Sequence, residues 1–132
     1  MKTIKPLSER KDLFLFLAII WTFFIAYLCL ARFKSLPKIG LSGADKYVHV
    51  ILYFVFTSLW SFYLKAKASF SNASLVKVVF AAIVYGSAIE IAQGLFTTTR
   101  KADIMDVLAN TSGSILAVMA ILIGTRFAAK KI

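Results

Sequence analysis

The segment LFLFLAIIWTFFIAYLCLA, residues 13–31, contains no charged residue. As a helix it would be about 28 Å long, close to the ~30 Å hydrocarbon core of a bilayer. Arg32-Phe33-Lys34 follows it, where a signal peptide would carry a cleavage site made of small residues. The segment therefore predicts a retained transmembrane helix.

Three further apolar runs lie at residues 47–64, 75–96 and 104–124, each close to the ~20 residues that span a bilayer. Of the 132 residues, 60% are hydrophobic, and the mean hydropathy of +0.80 is well above that of soluble domains. The connections are short, so neighbouring helices should be antiparallel, and Ser71 to Ser74 predict a turn that starts the third helix. The sequence predicts an all-α polytopic membrane protein, a single domain over residues 1–132 folded as a compact bundle of four transmembrane helices with short loops.

The net charge of +10 arises from 16 Lys and Arg residues against 6 Asp and Glu residues. The basic residues lie between the apolar runs and form no continuous patch, so they are interpreted as membrane flanks and no nucleic-acid partner is predicted. Ten of the 16 fall on the side of the bundle that carries the N-terminus. Because cytoplasmic flanks are enriched in Lys and Arg, both termini are predicted to be cytoplasmic.

Polar residues recur at helical spacing on the second and third runs. Asp45, His49 and Tyr53 are spaced i, i+4, i+8 and share one helix face, while Glu90 and Gln93 are spaced i, i+3. Ionisable residues are costly in a bilayer core and usually face a cavity or one another. These positions are therefore the first candidates for a functional site.

The fourth run carries a matching stripe formed by Asp103, Asp106, Asn110 and Gly113. The third and fourth runs turn around Arg100, so residues equally distant from it reach equal depth. The spacing predicts a funnel-shaped pocket of three tiers, open to the non-cytoplasmic face: Tyr53, Glu90 and Asn110 deepest, then His49, Gln93 and Asp106, with Asp45, Lys46, Arg100, Lys101 and Asp103 at the mouth. Small residues of the fourth run also predict a close helix contact: Ala109, Gly113 and Ala117.

The same residues allow a structural interpretation. Ser42 and Asp45 could form a capping box, and Asp103 and Asp106 could cap the fourth helix. Glu90 could be neutral, or could bond its tier partners on the other helices as interhelical contacts worth ~0.6 kcal/mol each. Capping does not explain Glu90, which lies within its span, so a functional role is favoured there.

Two carboxylates, one histidine and two cations at a membrane boundary suit an anionic head-group. Arg100 offers a planar fork to phosphate, and Lys46 adds a mobile point charge. His49 is the natural general acid or base, with Asp106 or Glu90 orienting its ring.

A divalent cation is the only cofactor for which the sequence offers ligands. Glu90, Asp103 and Asp106 provide oxygen atoms of the kind that Mg²⁺ or Ca²⁺ prefer. Zinc is not expected with one histidine and the distant Cys29. Neither haem nor a nucleotide is expected, and no glycine-rich phosphate loop or Rossmann fingerprint is present.

Together these residues resemble the signature of the VanZ-like family of small integral membrane proteins. The matching motifs are D-K-x-x-H-x-x-x-Y from Asp45, E-x-x-Q from Glu90 and R-x-x-D-x-x-D-x-x-x-N-x-x-G from Arg100, within residues 41–124. One departure is the threonine run 97–99 before the arginine, where a proline is expected nearby.

The resemblance implies a protein of the bacterial inner (plasma) membrane with a role in cell-envelope lipid or peptidoglycan-precursor metabolism. The family's named member is associated with resistance to the glycopeptide antibiotic teicoplanin, and a wider group that the family resembles is proposed to act on phospholipid or polyprenol-phosphate head-groups. We therefore expect a lipid head-group phosphoester hydrolase or transferase whose partners are membrane lipids or a lipid-linked cell-wall precursor. The expected catalytic residues are His49, Glu90 and Asp106, and the expected substrate-binding residues are Asp45, Lys46, Tyr53, Gln93, Arg100, Asp103 and Asn110.

Two alternatives stay open. A non-catalytic membrane binding protein would contribute to glycopeptide resistance by sequestering the drug or a precursor. A small proton-coupled carrier would use Glu90 as its protonation site, although four short helices without inverted repeats are not typical of carriers.

Overall fold

The computed structural model describes residues 6–31, 43–98 and 100–131. A short 3-10 helix, Leu7–Arg10, leads into helix α1, and three further helices complete the described chain: α1 Lys11–Leu30, α2 Ala44–Ala66, α3 Asn72–Phe96 and α4 Ile104–Ala129. These residues contain no strand, so the predicted all-α class is confirmed. All four helices are long and apolar enough to cross a membrane, which makes this a multi-pass membrane protein.

The helix starts follow local capping rules. Ser71 and Ser74 form the capping box of α3, with each side-chain hydroxyl accepting from the other residue's backbone N–H at 2.8–3.0 Å, as the serine pattern predicted. Asp103 caps α4 by accepting from the Met105 N–H at 2.8 Å. Asp106 has no capping bond, because its carboxylate bonds Lys46 instead. The proposed cap at Ser42 lies outside the described residues.

The closest packing in the bundle joins α2 to α4. A Cβ atom at Gly113 would lie 2.2 Å from the backbone oxygen of Val50, which only glycine can avoid. Ala109 and Ala117, one turn to either side, are buried. The predicted small-residue contact is thereby confirmed, and it fixes the depth of the α2 polar residues against those of α4.

An aromatic layer fills the middle of the bundle. The Phe56 and Tyr85 rings stack with centroids 5.7 Å apart, and Tyr53 packs against both. Helix α1 is joined to this layer by two hydrogen bonds, from Trp21 Nε1 to the Leu52 oxygen at 2.9 Å and from the Tyr85 hydroxyl to the Thr22 oxygen at 2.5 Å. The layer separates two ends of the molecule: the polar end, where α2 and α4 begin and α3 ends, and the opposite end, where α2 ends and α3 begins.

Candidate functional site

Three ionisable side chains from three helices meet at the polar end. His49 on α2, Glu90 on α3 and Asp106 on α4 each place one potential ligand atom within 4.8 Å of the others. They are only 4%, 3% and 9% exposed. We call these three residues the polar centre. Sequence reasoning named these three residues together, but the cluster crosses the predicted tiers. Glu90, expected one tier deeper, meets His49 and Asp106, because its long side chain reaches towards the mouth and accepts the Asp103 N–H.

The His49 ring is held by Asn110. His49 Nδ1 lies 2.9 Å from Asn110 Oδ1, and because an amide oxygen can only accept, Nδ1 is the donor. His49 Nε2 faces Asp106 Oδ2 at 3.6 Å, beyond hydrogen-bond distance. The expected orienting partner was a carboxylate, but the Asn110 amide takes that position, and no hydrogen bond from Nε2 to another described residue is present.

Lys46 connects α2 to the start of α4 through two carboxylates and also pairs with its neighbour on α2, Asp45. Its Nζ donates to Asp103 Oδ2 at 2.6 Å and to Asp106 Oδ1, and it pairs with Asp45 Oδ2 at 3.0 Å. The Lys46 hydrogen bond, helped by the Met105 N–H, holds the pKa of the Asp103 carboxyl below its usual range. A phosphate approaching Lys46 would thus compete with three carboxylates for one ammonium.

Glu90 is bonded through only one of its oxygens. Oε2 accepts the backbone N–H of Asp103 at 3.1 Å, whereas Oε1 is buried without a partner among the described residues. In the described chain Glu90 does not bond Asn110 or Tyr53, so the interhelical bonds considered in the structural interpretation are not formed. The free oxygen is available to a ligand.

Gln93, one turn after Glu90, joins α3 to α1. Its Nε2 donates to the Cys29 backbone oxygen at 2.7 Å, and the side chain is 1% exposed. The structure places Gln93 beside the polar centre but directs its amide towards α1. Sequence reasoning missed this contact because a backbone carbonyl group carries no sequence signal.

Tyr53 and Asn110 meet opposite Gly86 of α3. A Cβ at Gly86 would lie 2.8 Å from Asn110 Nδ2 and 3.2 Å from the Tyr53 hydroxyl. The Tyr53 hydroxyl is buried without a hydrogen-bond partner among the described residues. Gly86 therefore makes room for both side chains. A glycine inside a helical run often marks a close contact, and this signal could have identified Gly86 as part of the site from sequence.

Exposure rises steadily from the polar centre to the surface. The exposed fraction of the side chain is 6% at His49, 13% at Asp106, 41% at Asp103 and 56% at Asp45. Arg100, in the α3–α4 connection, is half-buried, and its guanidinium forms no ion pair with any described residue. Access to the centre thus runs past the residues that the sequence placed at the mouth.

A separate cavity of about 550 Å³ lies on the other side of the aromatic layer. Trp60 and Tyr85 line it together with Ser74 and Lys77, so it belongs to the opposite end of the molecule. None of the predicted site residues lines it.

The family relationship can now be stated with the geometry in view. The family model described as VanZ/LLP1 matches residues 7–125, which include all four helices as far as the last turn of α4. No curated protein and no solved structure matches the chain. The matched range contains every residue of the polar centre and every residue that surrounds it. The chain therefore belongs to the VanZ/LLP1 family.

Proposed function

We propose that this membrane protein binds an anionic phospholipid or polyprenol-phosphate-linked head-group at its polar end and processes it by hydrolysis or exchange at a phosphoester. The observation that carries the proposal is the convergence of His49, Glu90 and Asp106 within 4.8 Å inside a membrane helix bundle. The family relationship supports the coarser statement, that this is a VanZ-like membrane protein.

Energetics favour a functional centre over a structural one. Interhelical polar contacts in membranes contribute only ~0.6 kcal/mol each, whereas burying an ionisable group costs several times more unless it is fully bonded. Among the described residues Glu90 Oε1 has no partner, and the closest ion-pair contact of His49 Nε2 is Asp106 Oδ2 at 3.6 Å. A purely structural network would be expected to satisfy both atoms.

The geometry gives each residue of the centre a role. His49 Nε2 is the atom free to give or take a proton, since Asn110 holds the ring through Nδ1. Asp106 and Glu90 flank that nitrogen and would stabilise positive charge on the ring. Gln93 would act indirectly by tying α3 to α1, and Tyr53, which lies next to Asn110 at Gly86, would help to hold Asn110 in place.

Recognition of the head-group falls first to Arg100. Its guanidinium has no ion-pair partner in the described chain and can bind a phosphate through two parallel hydrogen bonds. Lys46 would reach the same phosphate only by releasing one of its carboxylates. The substrate itself would come from the non-cytoplasmic leaflet of the bacterial inner membrane, with both termini in the cytoplasm.

The test is mass spectrometry of lipids from cells that express the wild type, His49→Gln and Glu90→Gln at matched protein levels. Glu9→Gln and Asp12→Asn are matched controls, because they make the same acid-to-amide change at exposed positions of the opposite end. A head-group change should appear with the wild type and the controls and be absent with both centre variants. Identical lipids from all strains, with folded protein in each, would contradict processing and leave the binding protein as the better description.

A further inference from the structure

Immediately around the polar centre, the ion pairs among the described residues give three carboxylates a single ammonium group. Lys46 is shared by Asp45, Asp103 and Asp106, and the Glu90 carboxylate has no ion-pair partner in the described chain. An anionic head-group that passed Arg100 and reached His49 would come close to these carboxylates and be repelled by them. A cation held among the carboxylates would offset that repulsion.

The unbonded atoms of the centre form a set of metal ligands. Lys46 occupies Asp106 Oδ1, which leaves Oδ2, and Asn110 occupies His49 Nδ1, which leaves Nε2. These two atoms are 3.6 Å apart. Two ligands held ~2.1 Å from one cation at a tetrahedral angle are ~3.4 Å apart, so a cation fits between them with little movement.

Glu90 supplies the third ligand. Its side chain is 3% exposed, its Oε1 has no partner among the described residues, and one of its oxygens lies within 4.8 Å of the other two ligand atoms. Asp103, the third carboxylate expected from sequence, is already committed: Oδ2 bonds Lys46 and Oδ1 accepts the Met105 N–H. The available ligands are thus one imidazole nitrogen and two carboxylate oxygens.

We propose that His49 Nε2, Asp106 Oδ2 and a Glu90 carboxylate oxygen bind one divalent first-row cation of the Mn²⁺ or Zn²⁺ type. An imidazole ligand favours these ions over Mg²⁺ and Ca²⁺, which take oxygen ligands. Asn110 acts as the partner that fixes the tautomer and orientation of the ligating histidine. This set differs from the all-carboxylate set predicted from sequence, because His49 replaces Asp103.

A cation at this position changes the chemistry of the centre. It would give the head-group phosphate a positive partner and remove the repulsion by the carboxylates. One nitrogen cannot hold a metal and carry a proton at the same time, so with the cation bound His49 is a ligand and not the acid or base. This inference rests on the site of the proposed function. It states that the proposed phosphoester reaction is assisted by a metal ion.

Mn²⁺ alone is a sufficient probe, because its electron paramagnetic resonance signal reports binding without any substrate. The purified protein in detergent is titrated with MnCl₂ in a buffer free of nitrogen ligands, and the bound ion is examined by pulsed measurements for coupling to a histidine nitrogen. We expect about one tightly bound Mn²⁺ ion per chain, with coupling to a histidine nitrogen. Zn²⁺ should displace this ion, whereas Mg²⁺ at the same concentration should not. Glu90→Gln and Asp106→Asn should weaken binding by at least about tenfold, and His49→Gln should abolish the coupling.

The controls separate a specific site from adventitious binding. Asp12→Asn, which removes an exposed carboxylate far from the centre, should bind Mn²⁺ as the wild type does. Glu90→Gln is the decisive variant, since it keeps shape and leaves the Lys46 ion pairs intact. No saturable binding, or equal binding by wild type and Glu90→Gln, would overturn the proposal.

The two proposals can fail independently. Suppose the lipid experiment shows a change that needs His49 and Glu90, but the titration shows no tight Mn²⁺ binding. The head-group proposal would then stand without the metal, and His49 would act as the acid or base. Tight Mn²⁺ with nitrogen coupling but unchanged lipids would retain the metal site and reject the processing of head-groups.

Discussion

The two ends of the bundle satisfy their polar groups in different ways. At the polar end the bonds run between helices: Lys46 on α2 bonds Asp103 and Asp106, and His49 bonds Asn110 on α4. At the opposite end Ser71 and Ser74 bond each other within one turn. In the described chain the ion pairs that join helices all lie at the polar end, whereas beyond the aromatic layer the helices are joined by neutral hydrogen bonds such as that from Trp60 to Thr22. The polar end therefore depends more strongly on the exact relative position of the helices, and a site that needs fixed geometry is found there.

The largest effect should come from a methyl group placed where α2 and α4 touch at the polar end. Gly113→Ala brings a Cβ against the Val50 backbone, which cannot move aside as a side-chain tip could. We expect a loss of about 1–3 kcal/mol in the free energy of unfolding, measured by denaturant titration in mixed micelles.

Gly124→Ala is the matched control on the same helix, since nothing lies within 4 Å of its added Cβ. It should be neutral or stabilise the protein by about 0.5–1 kcal/mol, because alanine is the better helix former. Equal losses for the two variants would show that the two ends do not differ in packing.

The next largest effect should follow from removing the shared cation. Lys46→Met leaves three carboxylates at the mouth of the site without their common partner. We expect a loss of about 2 kcal/mol, below the roughly 3–5 kcal/mol of a fully buried pair. We expect a smaller loss of stability than for a fully buried pair because the Lys46 side chain is 30% exposed to solvent.

Lys77→Met provides the comparison at the opposite end, where the lysine is exposed and forms no ion pair with any described residue. Its effect on the same unfolding titration should stay within about 0.5 kcal/mol. A neutral Lys46→Met would mean that the ion pairs do not hold the helices together.

Single cysteines introduced at the two ends should have the smallest effect on stability. They should nevertheless differ clearly in their labelling by a thiol reagent. In a Cys29→Ala background, Lys101→Cys at the polar end should react in intact cells with a membrane-impermeant thiol reagent, whereas Ser69→Cys should react only after lysis. Both positions are exposed, so unequal labelling reports sidedness. The reverse pattern would place the polar end in the cytoplasm and contradict the proposed orientation.

Spacing and hydropathy predicted the fold and named the residues of the polar centre. They succeeded because position in the chain gives the approximate depth of a residue in a helix, and the 3.6-residue repeat gives the helix face on which it lies. The predicted tiers were too coarse for Glu90, whose side chain meets His49 and Asp106 of the next tier. They did not predict that Asn110 would hold His49 or that Lys46 would bond three carboxylates. Those partners depend on the rotation of each helix about its own axis and on side-chain length, which only packing such as that at Gly113 determines.

The ion pairs of Lys46 also have a consequence for the order in which the protein can be assembled. The partners of Lys46 and His49 lie 57 to 61 residues later in the chain, a delay of roughly 3–12 s during synthesis. Until α4 is made, the start of α2 carries charges that the hydrocarbon region does not accept, so this end must wait at the level of the lipid head-groups. We therefore expect the start of α2 to reach its final depth only once α4 is present, and a chain interrupted before α4 leaves Lys46 and His49 without their α4 partners.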